Sequence, residues 1–183
     1  FKKVYFDDAL GRPVCKFIPA EHLIVPYESN DLETCPNITH IVRMSLNDLR
    51  KQQVSGFYRD IKVLPSQPDS TSVSDEIDYI DGTRASSVDY DCTLLECHVD
   101  LDLEGYEDTD EDGEMTGIKV PYVVTISEDN GKVLAIRRNY REDDPLTSKI
   151  QYFVHYKFLP GFGFYGMGLI HTIGGLSRTA TAA

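Results

Sequence analysis

The chain has 183 residues, 41% of them hydrophobic and 26% charged, which is the composition of a globular domain large enough to bury a sizeable core. No apolar run approaches the roughly 20 residues needed to span a bilayer, so the composition gives no sign of a membrane protein. The net charge is −12, and residues 64–117 carry seventeen Asp and Glu against one Arg, a local net charge of −16. This negative charge argues against a protein that binds DNA nonspecifically, because such binding depends on neutralising phosphates.

Residues 1–63 form a strand-rich N-terminal part. Short apolar runs at 1–6 and 14–18 are separated by a link containing Gly and Pro, and this pattern predicts a β-hairpin. Pro19, Pro26 and Pro36 interrupt the next segment, and its two short runs at 23–25 and 39–44 predict isolated strands at a sheet edge.

A single short helix is predicted in the same part. Ser45 is a favourable N-cap, Asp48 stands in the acidic first turn, and Gly56 supplies the stop. A helix of this length is not stable alone. We therefore expect its Leu46 and Leu49 to pack onto another element.

Residues 64–91 are rich in Ser, Asp, Thr and Pro and are predicted to be a polar insertion or linker. Within them, residues 75–80 could close into one or two helical turns. We favour an insertion over a domain boundary, because the segments on both sides are strand-rich and neither is complete without the other.

Residues 92–160 give the clearest architecture, an antiparallel meander with an acidic hairpin tip. Its four predicted strands are 92–103, 118–127, 132–138 and 152–158, and the last of them is expected to be an inner strand. Asn130-Gly131 predicts a tight hairpin between the second and third strands. Together with the short helices, this meander predicts an α+β fold.

Alternation along the first meander strand predicts one buried and one acidic face. The buried side is expected to carry Leu95, Cys97, Val99, Leu101 and Leu103, and the polar side Glu96, His98, Asp100 and Asp102, although the apolar Leu94 also falls on that polar side.

Residues 161–183 are predicted to form a glycine-rich turn leading into a longer helix. Aromatic residues fill the gaps between the glycines, so the turn is expected to be packed rather than open to a phosphate. At least one glycine should have positive φ or a backbone neighbour too close for a Cβ, and at least one ring should be buried against the meander. The residues of this structural pivot are Gly161, Gly163, Gly166, Gly168, Phe162, Phe164 and Tyr165.

The helix after the turn is predicted from Leu169, with Leu169, Ile170, Ile173 and Leu176 along one side. No stop signal follows Leu176, and the opening residues already read as a strand in progress. We therefore expect a piece of a longer chain.

Motifs for catalysis or for metal and cofactor binding are missing from the sequence. The acidic loop opens like an EF-hand with Asp108, Asp110 and Asp112, but the twelfth position, which requires Glu, is Lys119. The four cysteines form no CxxC pair and are interpreted as buried free thiols. The five histidines lack metal-binding spacing and are interpreted as structural. We expect no catalytic residue, no cofactor and no metal.

One basic and aromatic cluster is a candidate for subunit or nucleic-acid contacts. It contains Arg137, Arg138 and Arg141 around Asn139 and Tyr140. Alternation sends Arg137 and Arg138 to opposite faces of a strand, so they cannot both contact one surface. An ion pair with residues 142–144 is an equally good interpretation.

Taken together, several runs resemble the portal protein of short-tailed bacteriophages. They are AEHLIVPY, HIVRMSLNDLRKQQVSGFY, VPYVVTISEDNGKVLAIRRNYREDD and YFVHYKFLPGFGFYGMGLIHTIGGLSRTATAA. The most specific parts are IRRNYREDD and GFGFYGMGLIH, and the resemblance covers most of the chain except the acidic insertion.

The resemblance implies a non-enzymatic virion component, assembled in the bacterial cytoplasm. In that family, copies form a dodecameric ring at one capsid vertex, through which DNA is packaged by the terminase and later ejected into the tail. This chain would be the wing region, with capsid, terminase and tail adaptor as partners and with DNA passing without tight binding. Two alternatives stay open: a β-rich binding or adhesion module, and a metal-dependent hydrolase that uses the acidic block.

Overall fold

The computed structural model describes residues 1–7, 10–65, 91–109, 112–161 and 163–182. The fold is α+β, with two antiparallel sheets and few helices. Within these residues the strands are β1 (Lys2–Asp7), β2 (Arg12–Phe17), β3 (Leu23–Ile24), β4 (Asn37–Ser45), β5 (Asp91–Leu101), β6 (Val120–Ser127), β7 (Val133–Arg138) and β8 (Phe153–Val154). The helices described there are α1 (Leu46–Val54), α2 (Leu169–Ala182) and a short 3-10 helix at Ala20–His22.

The chain divides into two compact units. The first contains residues 1–38 and 149–183, and the second contains residues 39–148. Neither unit boundary coincides with the segment limits predicted at 63, 91 and 160. The flanks of the polar insertion both lie within the second unit, while most of the insertion and its predicted helical turn at 75–80 lie outside the described residues.

The first unit contains a three-stranded sheet in the order β2-β1-β8. The predicted N-terminal hairpin is confirmed: Lys2 pairs with Phe17 and Asp7 with Arg12 in one antiparallel register. The prediction for the last meander strand is wrong. Only Phe153–Val154 is a strand, and it is an edge strand paired with β1. Periodicity indicated a strand but carried no information on its partner.

The second sheet has the order β3-β4-β5-β6-β7. The meander is therefore continuous for three strands, β5 to β7, rather than four. The prediction that residues 39–44 form an edge strand is also wrong, since β4 is nine residues long and has a neighbour on both sides. Between β6 and β7 the predicted tight hairpin is present, with Gly131 at φ 65° and its amide donating to the Ser127 carbonyl over 2.9 Å.

Helix α1 begins and ends where the capping residues predict. The Ser45 side chain accepts a hydrogen bond from the Asp48 amide at 3.1 Å, which satisfies one of the free amides of the first turn. Just after the helix, Gly56 adopts φ 78°. Leu49 is buried and Leu46 packs beside it, so the predicted docking face is confirmed.

Both faces of the β5-β6-β7 sheet carry a buried apolar cluster. The helix-side face packs against α1 and the segment that follows it, through a core of Leu49, Tyr58, Cys92, Leu94 and Leu134. The opposite face, which we call the outer face, has its own core of Val120, Tyr122 and Val124 with Cys97, Val99, Leu101 and Leu103 beside it.

The predicted solvent-exposed acidic side of β5 is therefore only partly correct. Leu94 and His98 lie on the side expected to be polar, yet they are 0% and 3% exposed. Asp100, further along the same side, is exposed. The helix and the segment after it cover the first half of this face, a tertiary effect that alternation within one strand does not report.

Candidate functional site

The candidate arginines are separated by the strand that carries them. In the β6-β7 register Arg137 is opposite Val123 and Arg138 is opposite Tyr122, so their side chains leave the sheet on different faces. This confirms the alternation argument. The three arginines do not form one basic surface.

Arg137 is a structural clamp on the helix-side face. Its guanidinium lies 3.2 Å from the centre of the Phe57 ring, and its Nη2 donates to the Phe57 carbonyl at 2.6 Å. Burial lowers the pKa of Arg137 from its ordinary value. Stacking and a charge-assisted hydrogen bond together hold the segment after α1 against the sheet.

Arg138 and Arg141 have different surroundings. Arg138 forms an ion pair with Glu142 at 2.6 Å, which is the intramolecular pairing considered from the sequence. Arg141 lies in the exposed turn after β7, where its carbonyl accepts from the Asp144 amide at 3.2 Å. Neither residue has the burial or convergent donors of a built anion site.

A buried polar cluster lies on the helix-side face beneath that clamp. His98 Nε2 is 2.8 Å from Glu96 Oε1, and the two side chains are 3% and 14% exposed. Thr125 pairs with Glu96 across the strands. Burial, followed by the nearby Glu96 carboxylate, raises the pKa of Tyr58 to about 12. Because these groups are shielded from solvent, they are not available to a substrate.

Sequence reasoning treated His98 as structural, and its burial agrees with that interpretation. It missed Tyr58 and Thr125, which come from the loop after α1 and from β6. Only the position of Glu96 and His98 two residues apart on one strand could have indicated part of the cluster.

A polar concavity lies on the outer face, at the base of the acidic hairpin. It is an open cleft of about 450 Å³, and we call it the tyrosine cleft. Its lining residues are Gly105, Tyr106, Glu107, Tyr122, Arg138, Tyr140 and Glu142. Of these, the sequence had indicated Arg138 as a candidate, Tyr140 as its neighbour and Glu142 as a candidate ion-pair partner.

The acidic loop above the cleft is a hairpin tip, as predicted. Thr109 and Met115 form an antiparallel bridge, and the Thr116 amide donates to the Asp108 carbonyl at 2.9 Å. The Asp108 carboxylate accepts from the Thr116 hydroxyl at 2.6 Å. Residues 110 and 111 lie outside the described residues. Elsewhere in the described chain, no group of three or more His, Cys, Asp or Glu has the geometry to hold a metal ion.

The glycine-rich turn is packed, as predicted, through close backbone contacts rather than positive φ. A Cβ on Gly161 would lie 2.9 Å from the Tyr165 carbonyl oxygen, and a Cβ on Gly166 would lie 2.8 Å from that of Leu159. Gly163, by contrast, has no atom within 4 Å of its Cβ position. Gly161 and Gly166 are therefore the sterically required members of the set.

The aromatic residues of the turn pack in the first unit, and the prediction that they lie against the meander is wrong. Phe164 is buried, with its ring 5.6 Å from that of Phe1 and 4.7 Å from that of His155. Tyr165 is exposed, but its hydroxyl donates to the Leu23 carbonyl at 2.8 Å. Phe162 lies outside the described residues, and Gly168 directly precedes α2.

All four cysteines are free thiols, as predicted, but they are not all buried. Cys35 and Cys92 are buried and Cys97 is partly buried, whereas Cys15 is exposed on strand β2. Over the described ranges, no helix has the length and apolar character to span a bilayer.

Comparison with known proteins gives no assignment. No protein-family model matches this chain, and no curated protein has a significant match to it. The functional conclusion therefore depends on the residues and their arrangement.

Proposed function

We propose that this chain is a structural component of a phage portal ring, the assembly through which DNA is packaged and ejected. The observation that carries the proposal is the resemblance of two runs, IRRNYREDD and GFGFYGMGLIH, to portal proteins. The first covers the end of β7 and the turn after it. The second covers the packed glycine turn and the start of α2.

The net charge of the chain supports a role in which DNA slides past the protein without being held. With a net charge of −12, the chain as a whole repels a polyanion. Arg137 is engaged with Phe57, and Arg138 with Glu142. Two of the three arginines of the basic cluster therefore make contacts within the chain, which suits passage of DNA without tight binding.

Helix α2 supports an assembly role. Leu169, Ile173 and Leu176 lie on one side of the helix and are each more than half exposed, Leu176 at 73%. Burying a leucine or isoleucine side chain contributes about 1.5 to 3 kcal/mol, so covering this side would provide a substantial driving force for assembly. In the proposed ring, neighbouring copies cover this side. Capsid, terminase and tail adaptor are the further partners.

The test is electron microscopy of the polypeptide encoded by the complete gene, expressed in bacteria. We expect closed rings with a channel wide enough for duplex DNA, and a terminase gene and a capsid gene beside the portal gene. The 183-residue chain alone is expected to be a monomer or a weak oligomer. A uniform monomer from the complete gene, with neither gene nearby, would contradict the proposal.

A β-rich binding module is the second candidate, and the tyrosine cleft is the observation that favours it. It predicts a monomer from the complete gene together with a specific partner. The same microscopy therefore separates the two functions.

A further inference from the structure

We infer that the tyrosine cleft binds the cationic side chain of a lysine or arginine presented by a basic segment of a partner protein. The cleft is formed within the second unit alone. The inference does not depend on the proposed portal function, and its test uses the 183-residue chain.

The walls of the cleft are aromatic. Tyr122 and Tyr140 meet edge to face, with ring centres 6.5 Å apart and ring planes at 84°. Tyr106 forms a further wall from the hairpin base and is 66% exposed. Burial, and then the neighbouring Tyr140 phenol, raise the pKa of Tyr122, while the nearby Arg138 guanidinium opposes this rise. Tyr122 is only 3% exposed, so the ring faces open to a cation are those of Tyr106 and Tyr140.

The charges at the cleft favour a cation over an anion. Its lining contains one cation, Arg138, and two carboxylates, Glu107 and Glu142, so the charged lining residues sum to −1. Arg138 is already paired with Glu142 at 2.6 Å. Glu107 is the surplus charge, and hydrogen bonds from backbone amides lower its pKa, so it is ionised at neutral pH.

Acidic residues around the tyrosine cleft also favour a cation over an anion. Residues 100–114, which supply Tyr106 and Glu107, include nine acidic residues and no basic residue. Such a field attracts a basic segment over a distance of about one Debye length, roughly 8 Å at physiological salt. The aromatic walls then select a cationic side chain. A phosphate or an acidic peptide would meet uncompensated carboxylates, so the charges disfavour both.

The experiment titrates the intact 183-residue chain with a capped pentalysine peptide and measures affinity by fluorescence anisotropy. Saturable binding is expected, with weakening as salt rises. Tyr106→Ala should bind about three- to tenfold more weakly, which corresponds to roughly 0.7 to 1.4 kcal/mol of cation–π attraction. Tyr106→Phe is the matched control, because it keeps the ring and loses only the hydroxyl, and its affinity should stay within about twofold. Tyr27→Ala, at a fully exposed tyrosine that does not line the cleft, should bind like the parent chain.

The peptide controls define what would overturn the inference. Pentalysine with every side chain acetylated, and pentaglutamate, should not bind. Equal binding by the acetylated peptide, preferred binding of pentaglutamate, no binding of pentalysine, or an unchanged affinity in Tyr106→Ala would each refute a cation site. If the parent chain instead self-associates, and Tyr106→Ala abolishes that association, the occupant is a second copy and the inference of a basic partner is wrong. Circular dichroism confirms that the exposed substitution leaves the fold intact.

Discussion

Alanine substitutions in the glycine-rich turn should have opposite effects at two neighbouring glycines. A Cβ on Gly166 would lie 2.8 Å from the Leu159 carbonyl oxygen and 3.2 Å from Lys157 Cβ. The same Leu159 oxygen accepts a hydrogen bond from the Met167 amide at 2.9 Å. The added carbon would therefore displace the acceptor of the hydrogen bond that closes the turn. Gly163, three residues earlier, has an open Cβ position and no left-handed φ.

The magnitude follows from these contacts. Gly166→Ala should lower the free energy of unfolding by about 1 to 3 kcal/mol, the usual cost of overpacking, because backbone cannot move aside as a flexible side chain can. Gly163→Ala should be neutral or should stabilise by up to about 1 kcal/mol, since alanine restricts the unfolded chain. Phe164→Ala removes a ring from the buried aromatic cluster and should lower the free energy of unfolding by about 3 to 5 kcal/mol, the largest loss expected among the three variants.

Scanning calorimetry and amide hydrogen exchange measure these effects. For a protein of this size a loss of 1 kcal/mol lowers the melting temperature by about 2 to 4 °C. Exchange of the Met167 amide should accelerate in Gly166→Ala and stay unchanged in Gly163→Ala, which locates the damage at the turn. Equal melting temperatures for the two variants, with equal Met167 exchange, would refute the steric argument.

Three further predictions concern the second unit. Arg137→Ala should lower the free energy of unfolding in urea titrations by about 1 to 3 kcal/mol, because it removes the stack on Phe57 and a charged hydrogen bond. Arg138→Ala should lower it by only about 0 to 1 kcal/mol, because the ion pair that it removes is exposed. Equal losses for the two variants would contradict a structural role specific to Arg137. The pKa of Tyr58 is raised to about 12 in the folded state, against an ordinary value near 10. As pH rises above 10, the unfolded state therefore loses this phenol proton before the folded state does. The resulting contribution to the free energy of unfolding is full below about pH 10 and is lost as pH rises towards 12. It amounts to about 2 to 3 kcal/mol, and Tyr58→Phe should remove that part of the pH dependence in denaturation measured from pH 9 to pH 12. Calorimetric titration with calcium should give no saturable micromolar heat, since Lys119 stands where the loop needs its bidentate Glu, and a saturable signal would show that other ligands complete a site.

The features that the sequence determined by itself are local ones. The hairpin of β1 and β2, the Asn130-Gly131 turn and the Ser45 cap each depend on residues within a few positions of one another, so propensity and turn chemistry are sufficient. Alternation also gave the separation of Arg137 and Arg138, because side-chain direction is fixed within one strand.

Only the tertiary structure decided which distant segments meet. The short run at Phe153–Val154 pairs with β1 instead of continuing the meander, and β4 lies inside its sheet. Burial of Leu94 and His98 depends on a helix and a loop some forty residues earlier in the chain, and Phe57 meets Arg137 across eighty residues. The tyrosine cleft likewise needs the hairpin base, β6 and the turn after β7 in one register. Pairing between segments far apart in the chain is selected by the packing of the whole core, and periodicity within any one segment does not encode it.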